Sequence, residues 1–380
     1  MITNVRRFLD NERYLDFLIR LVVALIVFVL LVIIGYRYYF YNVKQVQELP
    51  VNKTIRELEA QVRKNPLNIN ARIQLASAYL AVRRWDDAIR QCLEVLKVDK
   101  ENQAALTMAA FAYLQKEEYD KALEMCKKEI DTYATAGMAL ENRYLADAFF
   151  YSAIAYWKKG NLDKAIYHAN RAALIRRSDA DVMFFLGRLY YEKGLLVNAE
   201  NYFQKAIRFD PKYLDAHYGL AQVYEKMGLL GMAVNEYERA YQLDSSRKEF
   251  REKSDELLEK LQRKAEKNPD FETLVQLGFA YMGRHKWDRA VKTIERAIKL
   301  EPDDPLGYYA LGYTYERAWA SYKDGDEVKA GFYKEKALEA YNKCLQLDRD
   351  HEGALAGKKR LELGISEEEV IVRDVKVRKK

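Results

Sequence analysis

The chain has 380 residues, 63 of them Lys or Arg and 57 Asp or Glu, for a net charge of +6. Because the two signs are interleaved along the chain, they read as solvated helix faces and set aside the one-sided basic stripe of a nucleic-acid binder. Three cysteines without a CxxC, four scattered histidines and no glycine-rich phosphate loop set aside a disulfide framework, a metal cluster and a nucleotide site.

Residues 1–16 read as a short N-terminal tail. Arg6, Arg7, Arg13 and Arg20 precede an uncharged run from Leu21 to Tyr36. Counting from Phe17 to Tyr41, with Arg20 and Arg37 reaching outward near the ends, the stretch predicts one transmembrane helix over 17–41 and contact with a lipid bilayer through it. The run ends in Gly-Tyr-Arg-Tyr-Tyr-Phe-Tyr rather than a small-residue cleavage site, so no cleaved signal peptide is expected. The arginines ahead of the run predict a cytoplasmic N-terminus, with the rest of the chain extracytoplasmic in a single-pass cell-membrane protein.

Residues 42–68 hold a linker and one capping helix, Thr54 to Lys64, stopped by Asn65-Pro66. From there the chain repeats itself. Phe149-Tyr156-Ala165-Ala172, Met183-Tyr190-Ala199-Ala206 and His217-Tyr224-Ala233-Ala240 recur at one 34-residue spacing. Each unit is a pair of helices, called helix A and helix B below. Helix A carries an apolar face such as Met183, Leu186, Gly187 and Tyr190, a turn follows at Lys193-Gly194, and helix B carries Ala199, Phe203 and Ala206 before Asp210-Pro211.

The same tyrosine position is filled by Tyr79, Tyr113, Tyr156, Tyr190, Tyr224, Tyr281 and Tyr315. The helix-B alanine is Ala88, Ala122, Ala165, Ala199, Ala233, Ala290 and Ala337. This pattern resembles the tetratricopeptide repeat (TPR) family across about residues 52 to 363. The resemblance implies an all-α TPR superhelical solenoid of α-α repeats behind the N-terminal helix, with repeats 1–5 over 69–247 and repeats 6–7 over 271–351.

Three departures interrupt the register. After helix B of the second repeat, the stretch through Ile130 to Arg143 exceeds it, either lengthening a helix or bulging as a loop. A charged spacer helix is expected over 248–270, ending in Lys267-Asn268-Pro269 and echoing Lys64-Asn65-Pro66, so a bend or subdomain joint is expected near residue 250. Between the helices of repeat seven, Ala320 to Phe332 reads as a polar loop whose Asp324-Gly325-Asp326 lacks calcium-loop spacing. Residues 352–380 are expected to form a capping helix, His351 to Leu363, and a charged tail.

The TPR resemblance places partner binding on the concave groove lined by helix A. Carried onto this sequence, those positions are Phe150, Tyr151, Ile154 and Trp157, then Phe184, Phe185, Arg188 and Tyr191, then Tyr218, Gln222 and Glu225. Aromatic side chains there would anchor a protein or peptide partner, and Arg188 would orient a carboxylate. Positions used by chaperone-binding TPRs to clamp a C-terminal carboxylate are Ile73 and Ser77 in repeat one, which disfavours that ligand. The expected function is a membrane-tethered scaffold for protein–protein interaction; the alternative is a membrane-bound assembly chaperone holding clients during envelope or cytochrome c-type biogenesis. No catalytic residues, metal, cofactor, nucleic acid or small-molecule substrate is expected.

Overall fold

The computed structural model describes residues 12–44, 50–134, 141–366 and 369. Expectations for residues 1–11, the insert at 135–140 and the tail from 370 lie outside these. Two compact units divide the chain, Met1–Met108 and Ala109–Lys380.

The first unit holds α1 (Glu12–Lys44), α2 (Pro50–Lys64), α3 (Ile69–Ala81), α4 (Trp85–Val98) and the start of α5 (Gln103–Gln115). Pro66 bars α2 from continuing, and Asn68 starts α3 by accepting the Ala71 N–H on Oδ1 at 3.0 Å. Ile55 and Leu58 of α2 pack against Leu75, Tyr79 and Ala88. The Tyr79 hydroxyl donates to Glu59 Oε1 at 2.7 Å, so its polar end is satisfied while its ring is buried.

Among the described residues no helix is long and apolar enough to cross a membrane. The transmembrane reading of 17–41, and the single-pass placement with its extracytoplasmic repeats, is corrected by this finding. The uncharged run is the sixteen residues 21–36, bounded by Arg20 and Arg37. At 1.5 Å per residue that is about 24 Å, short of a hydrocarbon core of about 30 Å. The apolar side chains of α1 stand exposed, Phe28 at 67% and Leu31 at 62%.

The second unit continues with α6 (Tyr119–Tyr133), α7 (Arg143–Lys158), α8 (Leu162–Ile175), α9 (Ala180–Glu192), α10 (Leu196–Phe209), α11 (Leu214–Met227) and α12 (Leu230–Leu243). After these come α13 (Lys248–Lys267), α14 (Phe271–Gly283), α15 (Trp287–Leu300), α16 (Pro305–Tyr322), α17 (Glu327–Leu347) and α18 (Glu352–Leu363). Side chains fix the starts: Asn142 caps Leu145 N–H at 3.1 Å, Asp179 caps Val182 at 3.2 Å and Asp270 caps Thr273 at 2.7 Å. Between helix A and helix B the backbone enters the left-handed region, at Gly160, Gly194 and Gly228 with φ of 77°, 79° and 79°. Only glycine takes that conformation without strain.

Close approach then sets the packing. The Phe203 ring of α10 lies between Gly187 of α9 and Gly219 of α11; a Cβ at either glycine would sit 2.7 Å from the ring. Tyr341 of α17 occupies the equivalent place between Gly312 and Gly357, where a Cβ would come within 2.6 and 2.4 Å. Large rings therefore seat in slots made by missing side chains.

One rule places successive pairs. Tyr190 accepts from Asn170 Nδ2 of α8 at 3.3 Å, and Tyr224 accepts from Gln204 Nε2 of α10 at 3.1 Å. In each case the repeat tyrosine meets a polar side chain twenty residues back, on helix B of the preceding pair. The spacing of Tyr79 and Glu59 is the same, so α2 fills that seat for the first repeat. For Tyr281 the donor is Gln262 of α13 at 3.0 Å, so α13 fills it for the sixth.

The expected polar loop over 320–332 is instead mostly helix. Because α16 runs to Tyr322 and α17 begins at Glu327, only Lys323–Asp326 turn between them. Ala320 lies in the last turn of α16 and Glu327, Lys329 and Ala330 in the first of α17, all good helix formers, and Asp326 caps α17 by accepting the Lys329 N–H at 3.0 Å.

Candidate functional site

The helix-A residues of repeats three to five come from α7, α9 and α11. Phe150, Trp157 and Phe185 form one cluster, with Phe185 edge-on to Phe150 at 5.5 Å and to Trp157 at 5.8 Å. Of the residues assigned to this face, Phe185 is buried at 6% exposure and acts as the floor. Phe184 packs on Tyr213 at 5.1 Å and on Phe203 at 5.8 Å. Tyr151 turns toward Phe111 at 5.6 Å, and burial, then the charge of Asp147, pushes its phenol up to about 12.

Arg188 is held in place from three sides. Its guanidinium lies 4.6 Å from the Trp157 ring centre and 5.9 Å from that of Phe184, and it pairs loosely with Glu192 at 3.9 Å. Glu192 in turn accepts the Trp157 indole N–H at 2.6 Å. The Arg188 side chain remains 41% exposed, so a cation is pre-oriented at a surface of rings. Farther along, Lys226 sits 4.0 Å over Tyr191, while Tyr218 meets Phe250 at 5.2 Å and accepts from Gln222 at 3.2 Å. The expected residues thus fall into a cluster around Arg188 and a second patch around Tyr218.

A cavity of about 1160 Å³ lies elsewhere in this unit. Its walls are α10 and α12 with Gln204, Arg208, Met232, Asn235 and Arg239, and the helices opposite with Phe271, Val275, Phe279, Tyr313 and Arg317. Leu220 and Tyr224 of α11 and Lys359 and Arg360 of α18 complete it. It exists because α12 and α14 touch backbone to backbone: a Cβ on Gly231 would fall 2.1 Å from the Gln276 carbonyl oxygen, and the Leu230 N–H donates to Gln276 Oε1 at 2.9 Å. A buried ion pair registers the same junction, with Glu238 of α12 bound to Arg284 at 2.6 Å and to Arg251 of α13 at 2.6 Å. The Ser254 hydroxyl donates to the same carboxylate at 2.5 Å.

The cavity wall is mainly apolar, and its charged residues are mostly cationic. Arg208, Arg239, Arg317, Lys359 and Arg360 line it together with Glu236 and Glu272. Arg360 also binds the buried Glu316 at 2.6 Å, and Glu236 binds His217 Nδ1 at 2.6 Å. At His285, burial and then the charges of Arg317 and Arg239 lower the imidazole pKa.

Sequence reasoning passed over this cavity because its helix-B residues sit at positions that in a uniform array face solvent. The signal available was Gly231 inside a helix, where no turn requires glycine. Cys92, Cys126 and Cys344 are free and buried, and burial pushes their thiols up to about 12, 12 and 11. Among the described residues no group of three or more His, Cys, Asp or Glu is placed to hold a metal ion.

Three family models match: a TPR repeat model at 187–228 and 274–318, a tetratricopeptide repeat model at 50–106, and a further one at 214–247 and 332–351. No curated protein matches the sequence. Among solved structures, the chain is similar to YrrB, described as a TPR protein with an unusual peptide-binding site, at 22% identity and a TM-score of 0.41 over 50% of this chain and 93% of that one. It is also similar to MamA, at 23% identity and a TM-score of 0.41 over 48% and 94%. The match to the APC/C hetero-tetramer Cut9-Hcn1 has 15% identity and a TM-score of 0.38, over 81% of this chain and 52% of that one. Family models and helix-pair architecture together support assigning this chain to the tetratricopeptide repeats.

Proposed function

We propose that this chain is a protein-interaction scaffold that captures a partner peptide or protein on the helix-A face of repeats three to five. The observation that carries the reading is Arg188, held over Trp157 at 4.6 Å and yet 41% exposed. A cation fixed against rings offers a carboxylate a partner whose orientation is already set, so little side-chain freedom is lost on binding. Rings beside it supply contact area for apolar side chains, as they do at interaction hot spots. Phe185, beneath, keeps that surface in place.

The test is affinity capture by the full chain compared with an Arg188→Glu, Tyr191→Ser variant. One folded partner retained in stoichiometric amount by the wild type and lost by the variant is the expected result. Equal retention by both would refute the site. Recovery of many unrelated extended clients would instead favour a chaperone role.

A further inference from the structure

We propose that the outer face of the first turns of α17, from Glu327 to Glu335, is a docking site, and that its occupant is the valine-rich tail of this same chain, residues 370–380. Val328 is 83% exposed and Phe332 53%, on a helix whose other side, with Ala330 and Ala337, is buried. Beside them stands Gly331, where a Cβ would meet nothing within 4 Å. Gly187, Gly219 and Gly312 each make room for a ring of the fold, whereas Gly331 has no such neighbour. Glycine weakens a helix relative to alanine, so its place here fits a segment that comes close to the helix backbone from outside.

The tail starts from this place. Glu369 binds Lys323 Nζ at 2.6 Å and accepts the Ser366 N–H at 2.7 Å, and Lys323 caps the end of α16 in the short turn that leads into α17. An extended chain covers about 3.3 Å per residue, so residues 370–377 span about 26 Å, ample for a helical strip about 12 Å long. Val370, Ile371, Val372, Val375 and Val377 are β-branched, which suits an extended segment laid on an apolar surface. Charge agrees with this occupant: Glu327 and Glu335 border the strip and are exposed, and the tail carries Arg373, Lys376 and Arg378 against Asp374. Of the lysines on the same stretch, Lys329 pairs with Asp326 at 3.1 Å and Lys336 with Glu339 at 2.7 Å, while Lys334 stands one turn after the buried Ala330. The anchor at Glu369 keeps the tail at high local concentration over the strip, ahead of any second copy.

The test is limited trypsin digestion of the full chain, with cleavage after Arg373 and Lys376 followed by mass spectrometry. Those cuts should be about tenfold slower in the wild type than in a Val328→Ser, Phe332→Ser variant, because a docked segment is cut only while it is released. Gly331→Gln should speed them as well; it strengthens the helix while obstructing the strip, so loss of folding does not explain its effect. A Val197→Ser variant, altering a valine of α10 that is 70% exposed, should be cut at the wild-type rate. The proposal is overturned if the wild type and the Val328→Ser, Phe332→Ser variant are cut equally fast, if Gly331→Gln leaves the cuts slow, or if Val197→Ser speeds them as much. Protection that disappears on dilution would assign the strip to the tail of a second copy and overturn it too.

Discussion

The Tyr281 hydroxyl accepts a hydrogen bond from Gln262 Nε2 at 3.0 Å, joining the spacer helix α13 to the first helix of the repeat that follows it. The pairing matches Tyr190 with Asn170 and Tyr224 with Gln204. By this relationship α13 stands in for a missing helix B. Replacing Tyr281 with Phe should lower stability by about 0.5–1.5 kcal/mol, the usual net worth of one such bond. In a double-mutant cycle with Gln262→Leu the two losses should be less than additive; full additivity in chemical denaturation would sever the link.

Phe203 filling the space between Gly187 and Gly219 makes a second prediction. Gly219→Ala should destabilise by about 1–3 kcal/mol through overpacking, and Phe203→Ala by about 3–5 kcal/mol through the cavity left behind. Combining Gly219→Ala with Phe203→Leu should recover part of the first loss. No recovery in a urea melt would show that the slot is not the cause.

Glu238 and Arg284 form an ion pair with both side chains only 5% exposed. Arg284→Met leaves the buried Glu238 carboxylate held only by Arg251 and Ser254, so it should cost about 3 kcal/mol, the low end for breaking a buried pair. The joint change Glu238→Leu, Arg284→Met should be milder than that single change, because the buried carboxylate is removed with its partner. Calorimetry of the three proteins measures the ordering.

His168 supplies a dependence on pH. Burial against Tyr156, with a stacked ring distance of 5.1 Å, lowers its pKa to about 4, and its Nδ1 is buried without a partner. The unfolded chain therefore binds a proton at about pH 6.5 that the folded chain refuses until about pH 4. This contribution to stability is complete above about pH 6.5 and is lost as pH falls toward 4. Melting temperatures should fall over that window by less in His168→Phe than in the wild type; equal slopes would assign the fall to other groups.

The repeat architecture was legible because its determinants are local. Tyr190, Ala199 and Phe203 announce a helix pair by spacing alone, and Asp210-Pro211 announces its end. Departures were harder to read. Ala320 to Phe332 lies outside the 34-residue register and suggests a loop, yet Ala320, Glu327, Lys329 and Ala330 in it are good helix formers, and the flanking helices extend through them. Leu21 to Tyr36 reads as a span only when the charged residues at its ends are allowed in. The cavity was the least legible feature, since its two walls come together only through the backbone contact of Gly231 with Gln276, and such long-range proximity has no local period.

The seat that α13 provides to Tyr281 has a consequence for how such a chain changes length. A helix that finishes one run and founds the next leaves no raw end at the seam, so gain or loss of whole units of about 34 residues on either flank would keep both neighbours covered. Evolution could thus vary the reach of the molecule there while leaving the packing on both sides of the seam intact.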